Sequence, residues 1–151
     1  MLLAALIGVA PSVHARWDVS GTAATESRVF ENLGDYKNAA FGVDWDRTAQ
    51  CRPVITLFLI KGTTLGKFKA VTRASTRMTV KIDGRSWAGE TILASHENGN
   101  AVMFFAPNDL VSKIQTATDI YVQIFEGGRV LIFDGRGSRG PILEAKRNCK
   151  P

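Results

Sequence analysis

Two cysteines lie far apart in the chain, and they constrain its fold more than any other feature. Cys51 stands just before the most apolar segment, and Cys149 lies two residues from the C-terminus. A bridge between them would close a loop of about 99 residues, worth up to ~4–5 kcal/mol in the chain-entropy description of disulfides. An even cysteine count favours a disulfide in an exported chain, and two unpaired thiols are the alternative. We therefore predict a Cys51–Cys149 disulfide.

The start of the chain has the pattern of a cleavable signal peptide, residues 1–15. Residues 2–10 form an apolar run without a charge, and Val13-His14-Ala15 supplies small residues for cleavage before Arg16. The run is too short to span a membrane, which takes ~20 residues; a buried core helix is the alternative. The sequence predicts a periplasmic or secreted protein with one domain, residues 16–151, and no transmembrane segment in the mature chain.

Short β-type segments separated by turn residues fill most of this domain. Apolar residues at every second position, as in Phe41, Val43 and Trp45, are typical of strands. Residues 22–33 fit either a strand or a helical turn. The predicted strands are Trp17–Ser20, Asn38–Asp46, Val54–Ile60, two strands within Phe68–Ile82, Trp87–Ala94, Ala101–Phe105, Ile120–Phe125 and Arg129–Phe133.

Two short helices complete the predicted elements. One begins at Asn108 after Pro107 and runs to about Thr116, and the other spans Pro141–Asn148 with proline in its first turn. The fold class that follows is mostly β: an antiparallel β-sandwich or curled sheet with about eight strands, two short helices and one disulfide.

Positive charge is the strongest functional signal. The net charge is +5, and every charged residue lies after residue 15. Alternate residues of a strand share a face, which predicts one basic face as a binding site. An ordinary solvated sheet face is the alternative. The residues of this predicted basic face are Lys67, Lys69, Arg73, Arg77 and Lys81, with Arg85 following the Asp83-Gly84 turn.

Catalytic and metal-binding patterns are weak. His96 is the only histidine after the signal peptide, and two cysteines with one histidine are too few for a structural zinc site. The loop Gly135–Gly140 lacks the phosphate-loop spacing, and no spacing selects a carboxylate pair. We predict no catalytic residue, metal or cofactor. The carboxylates that could converge are Asp44, Asp46, Asp83, Glu90, Glu97 and Asp134.

The partner expected for such a face is a protein or an anionic envelope polymer. Nucleic acid is not expected, because the aromatic residues fall mostly on the apolar sides of strands rather than among the basic residues, where bases would stack. The function predicted is an exported, non-catalytic binding or accessory module of the bacterial cell envelope. A cell-envelope hydrolase, or an inhibitor or immunity protein of one, is the alternative.

The order of sequence features resembles that of small periplasmic β proteins. It is similar to the type VI secretion-associated periplasmic family and, less closely, to the invasion-associated locus B family. The resemblance implies a disulfide-closed β-sandwich with an accessory or binding role, and it carries over no catalytic motif. The features are Trp17, Cys51, Val71-Thr72-Arg73, Asp83, Trp87, the strand–helix–strand run from Asn108 to Phe125, Phe133–Gly137 and Cys149.

Overall fold

This computed structural model describes residues 16–33, 36–61, 77–96, 99–124 and 128–151. The predicted signal peptide, residues 1–15, lies outside the described residues, and so do residues 68–76 of the predicted stretch Phe68–Ile82. Among the helices of the described segments, none has the length and apolar content that crossing a membrane requires.

The described segments form ten strands and two helices. The strands are β1 (Trp17–Ser20), β2 (Ala23–Leu33), β3 (Tyr36–Asp46), β4 (Arg52–Lys61), β5 (Arg77–Ile82), β6 (Arg85–Glu90), β7 (Ile92–His96), β8 (Gly99–Phe105), β9 (Asp119–Gln123) and β10 (Val130–Asp134). The helices are α1 (Asn108–Ile114) and α2 (Arg139–Asn148), and a 3-10 turn spans Arg47–Ala49. One sheet has six strands in the order β1-β2-β3-β4-β8-β7, and the other has four in the order β10-β9-β5-β6. All pairings are antiparallel, so the predicted fold class is confirmed.

Alternation along the strands builds the core between the two sheets. Phe41 of β3 packs against Phe133 of β10 with ring centroids 5.5 Å apart, which joins the sheets directly. Ile55 and Leu57 of β4 are fully buried on this inner side, whereas Thr56 and Phe58 on the other side are partly buried. β4 is therefore completely buried on its inner side and partly buried on the other side.

The structure decides one prediction that was left open and corrects another. The ambiguous residues 22–33 contain a strand, β2, because they pair with β3 over most of their length. The predicted strand Trp87–Ala94 is two strands in different sheets, β6 and β7, separated at Thr91. Near this crossing between the sheets, Gly89 lies against the Phe104 side chain, and a Cβ atom there would come within 2.8 Å of Phe104 Cγ.

The end of the chain is fixed at several points. Cys51 and Cys149 form the predicted disulfide, with Cα atoms 5.9 Å apart. Ile142 and Ala145 of α2 are buried against the sheet, whereas Leu143 is exposed. The start of α2 is anchored as well, since Ser138 donates its hydroxyl to the Ile114 carbonyl at 3.0 Å. The disulfide and this hydrogen bond hold α2 at its two ends.

Candidate binding surface

The four-stranded sheet turns one side to the core and the other, its outer surface, to solvent. Lys81 of β5 is paired with Tyr121 of β9, and Tyr121 is paired with Ile132 of β10. Because paired residues of neighbouring strands point to the same side, these three side chains lie in one row. The outer surface consists of this row and its neighbours, Arg77, Thr79, Lys81, Tyr121, Gln123, Val130 and Ile132.

Large apolar side chains are exposed on this outer surface. Tyr121 is 38% exposed, Val130 is 45% exposed and Ile132 is 42% exposed. They lie on the two strands farthest from β6, beside the basic side chains of β5. Aromatic residues are enriched at the centres of protein–protein interfaces, where lysine is depleted. The outer surface therefore combines an apolar patch with a basic border.

A shallow hollow of about 420 Å³ opens at one end of the outer surface. Its lining carries both signs of charge, from Lys81 and two aspartates, and one of these, Asp83, forms an ion pair with Lys113 at 2.8 Å. This mixture suits hydrogen bonding to a polar group of a partner better than it suits a purely anionic ligand. The residues that line the hollow are Lys81, Asp83, Gly84, Thr118, Asp119 and Tyr121.

Only part of the predicted basic face is brought to the outer surface. Arg77 and Lys81 lie there, and Lys67, Lys69 and Arg73 lie outside the described residues. Arg77 of β5 is paired with Glu90 of β6, so a carboxylate lies next to this basic side chain on the outer surface. The sequence alone could not show that Glu90 lies next to Arg77, because this contact depends on how β5 pairs with β6.

Arg85 was predicted to continue the basic face, and the structure corrects this. Arg85 pairs with Ile82, which is buried, so it lies on the side of the sheet opposite to Lys81. Its guanidinium lies 4.7 Å from the Trp87 ring centroid and forms an ion pair with Asp109 of α1. The Trp87 indole N–H, bonded to Asp109 at 3.1 Å, and then the charge of Arg85 lower the pKa of that carboxyl.

A buried ionic cluster that the sequence did not indicate joins the two sheets. Glu26 of β2 and Asp134 of β10 are both nearly inaccessible to solvent. Arg28 donates to Glu26 at 2.7 Å and approaches Asp134 at 3.6 Å. Arg136 donates to both carboxylate oxygens of Asp134, at 2.6 Å from Nη2 and at 2.9 Å from Nε. The available signal was an acid followed two residues later by an arginine, in Glu26-Ser27-Arg28 and Asp134-Gly135-Arg136.

The pKa values of the two carboxyls of this cluster are shifted in opposite directions. Desolvation raises the pKa of Glu26, and one oxygen, Oε2, is buried without a hydrogen-bond partner. The pKa of Asp134 is lowered, chiefly by the hydrogen bond from Arg136. Both arginines are partly exposed, while the acids are not. The two carboxylates therefore lie buried between β2 and β10 and do not line an open cleft.

Carboxylates also line a second hollow, of about 300 Å³, on the six-stranded sheet. Asp44 accepts a hydrogen bond from Thr22 at 2.7 Å, and Asp46 accepts two from Thr48, which lower its pKa. A general acid needs a raised pKa, so Asp46 is unsuited to that role. Within the described segments, no group of three or more His, Cys, Asp or Glu could hold a metal ion. The side chain of His96 and residue Glu97 lie outside the described part.

Comparisons with known proteins give one informative result. No protein-family model matches the chain, and no curated protein matches its sequence. A solved structure does match, the crystal structure of invasion associated protein B from Bartonella henselae. The match covers 87% of this chain and 96% of that one, with a TM-score of 0.51 and 13% sequence identity.

The chain is similar in fold to this Bartonella protein. At that identity the likeness concerns the fold alone, because one fold can carry unrelated functions. It agrees with the second of the two family resemblances of the sequence, to the invasion-associated locus B family. The type VI secretion-associated family is not shown by these comparisons.

Proposed function

We propose that the chain is an exported, non-catalytic binding module of the bacterial cell envelope that contacts its partner through the outer surface of the four-stranded sheet. The observation that carries this proposal is the exposure of Tyr121, Val130 and Ile132 side by side. A face that is merely solvated would carry polar side chains at such positions. Arg77 and Lys81 beside the patch give it a positive border.

The chemistry of the outer surface favours a protein partner over an anionic polymer. Tyr121 and Ile132 offer flat apolar contact, which phosphate or carboxylate groups of a polymer would not use. The net charge of +5 favours an acidic partner and would speed its approach. Binding to a polymer alone would depend on the lysine and arginine side chains and be indifferent to Tyr121.

Three further features bear on location and role. The Cys51–Cys149 disulfide supports an oxidising compartment, the periplasm or the exterior of the cell. A secretion-associated accessory role remains part of the proposal, and secretion-system genes beside this gene would support it. The hydrolase alternative is less favoured, because the carboxyl whose pKa is raised, Glu26, is buried between the sheets and lines neither hollow.

The proposal is tested by isolating bound proteins from the periplasm with matched variants. Lys81→Glu and Tyr121→Ala should each lose the same captured protein. Arg147→Glu is the control, since Arg147 is an exposed basic residue of α2. A protein that all three variants retain would contradict binding at the outer surface. Retention by Tyr121→Ala with loss from Lys81→Glu and Arg147→Glu would indicate unspecific attraction to charge.

A further inference from the structure

The last strand of the four-stranded sheet, β10, has an edge next to the outer surface with which no strand of the described segments pairs. Within that sheet β10 pairs with β9 alone. In an antiparallel pair, residues that bond to the partner strand alternate with residues whose N–H and C=O point away from it. The alternation in β10 can be assigned, because Gly135 donates its N–H to the Thr118 carbonyl at 2.8 Å.

That bond continues the register in which Asp134 faces Asp119. Counting back in steps of two, Phe133 and Leu131 bond to β9. The N–H and C=O groups of Asp134, Ile132 and Val130 therefore point away from the sheet. The side chains of Leu131 and Phe133 are buried, whereas those of Val130 and Ile132, whose backbone groups point outward, are exposed. Asp134 also has outward backbone groups, and its side chain is buried in the ionic cluster.

A contact of Asp134 agrees with this assignment. Its outward carbonyl accepts the Trp17 indole N–H at 2.9 Å, so this end of the edge is capped within the protein. For Val130 and Ile132, no residue in the described segments bonds to the outward backbone groups. An uncapped strand edge is a template for a further strand.

We propose that β10 takes up an extended segment of an acidic partner protein as an added strand beside Val130–Ile132, an inference that rests on the function proposed above. Main-chain hydrogen bonds would supply affinity, and alternate side chains of the segment would lie against Tyr121 and Ile132. One end of this edge is basic, since Arg129 directly precedes β10, and the chain as a whole carries a net charge of +5. At the other end, Arg28 and Arg136 are paired with Glu26 and Asp134.

This charge distribution selects the occupant. A segment with apolar residues at alternate positions and acidic flanks complements the exposed apolar side chains of the edge and the net positive charge of the chain. A second copy of the chain carries the same net charge of +5. Pairing between two β10 strands is therefore disfavoured, and a dimer in solution that dissociates on blocking β10 would overturn the proposal.

Proline at Val130 is the sharpest test. Val130 is the first residue of β10 and its N–H points outward, so proline removes a donor for the added strand without removing a bond to β9. Val130→Thr is the matched control, because it keeps the N–H and a β-branched side chain. The probe is a synthetic peptide of alternating Thr and Val with two Glu residues at each end, and a second peptide carries Lys in place of Glu.

We expect the Glu-ended peptide to bind the native protein and the Thr variant alike, with affinity at least about 10-fold weaker for Val130→Pro. The Lys-ended peptide should bind more weakly than the Glu-ended one. Equal binding to the Thr and Pro variants, or no binding to the native protein, would overturn strand addition. Neither result would contradict the proposed function, because capture of a periplasmic protein through Lys81 and Tyr121 does not require strand addition at the edge of β10.

Amide hydrogen exchange tests the same inference in the native protein. In the free protein, the amides of Val130 and Ile132 should exchange fast and those of Leu131 and Phe133 slowly. The Glu-ended peptide should slow exchange at Val130 and Ile132. Slow exchange at Ile132 in the free protein, or no slowing on addition of a peptide that binds, would contradict the proposal even if the proline variant failed to fold.

Discussion

Trp17, near the start of the domain, donates its indole N–H to the backbone carbonyl of Asp134, 2.9 Å away, and so joins the first strand of one sheet to the last strand of the other. The Trp17 ring also meets Phe41 edge-on, with centroids 6.3 Å apart. One side chain therefore closes the two sheets over the core and caps the end of β10.

Replacing this tryptophan separates its two roles. Trp17→Phe keeps an aromatic ring but leaves the Asp134 carbonyl without its donor, which should lower the free energy of unfolding by about 1–3 kcal/mol. Trp17→Ala also removes the packing and should cost about 3–5 kcal/mol. Urea unfolding measures both. Equal losses for the two variants would show that the hydrogen bond, rather than the ring, carries the contribution, contrary to this account.

The buried carboxyls should make stability depend on pH in opposite directions. Because the pKa of Glu26 is raised above its ordinary 4.5, the folded protein holds this proton more tightly, and stability falls as the pH rises from about 4.5 through the folded pKa. The pKa of Asp134 is lowered below 3.8, so its contribution is present above that pH and is lost as the pH falls through the folded pKa.

Glu26→Gln and Asp134→Asn measure these two contributions. We expect the stability of native protein relative to Glu26→Gln to decrease as the pH rises above 4.5. Relative to Asp134→Asn it should decrease as the pH falls below 3.8. Urea unfolding of all three proteins between pH 3 and pH 7 gives the comparison, and variant curves that run parallel to the native one would contradict both assignments.

Loss of the disulfide should loosen α2 first. Cys149→Ser frees the end of a helix whose buried apolar side chains are Ile142 and Ala145, and the bridge itself is worth up to ~4–5 kcal/mol. We expect a markedly lower melting temperature and faster amide exchange in α2. The native protein should lose a comparable amount on reduction, and Cys149→Ser should not respond to the reductant. A native melting temperature that reduction leaves unchanged would contradict this.

Gly89 should tolerate no side chain. Its Cβ position collides with the Phe104 ring system, so Gly89→Ala should lower the free energy of unfolding by about 1–3 kcal/mol through overpacking. Gly140 in α2 has open space around its Cβ position, and Gly140→Ala should be neutral or stabilise by up to about 1 kcal/mol through helix propensity. Thermal unfolding of the pair tests the crossing between β6 and β7.

Local patterns predicted most of the fold. The alternation of Phe41, Val43 and Trp45 predicted a strand, Asp83-Gly84 predicted the turn between β5 and β6, and the two cysteines predicted the bridge. The split of Trp87–Ala94 into strands of two sheets could not be predicted. It places β6 and β7 in different sheets, and contacts between sheets, such as that of Gly89 with Phe104, exist only in the assembled fold.

The candidate site was predicted less well, for the same reason. The basic face was predicted from alternation along the chain, but a sheet surface is formed by side chains of neighbouring strands, and strand pairing decides its composition. Pairing puts Tyr121 and Ile132 beside Lys81, sets Glu90 opposite Arg77 and turns Arg85 toward Asp109. The ionic cluster of Glu26 and Asp134 joins residues more than a hundred positions apart, and no local spacing reports such a contact.

Photo-crosslinking from the outer surface in living cells tests the central claim most directly. Benzoylphenylalanine at Tyr121 should form one major adduct with a partner protein, and the same label at Leu143 of α2 should not, although the two positions are almost equally exposed, at 38% and 37%. Loss of the Tyr121 adduct on adding Lys81→Glu would complete the result that the account predicts. No adduct from Tyr121, or the same adduct from both positions, would contradict it.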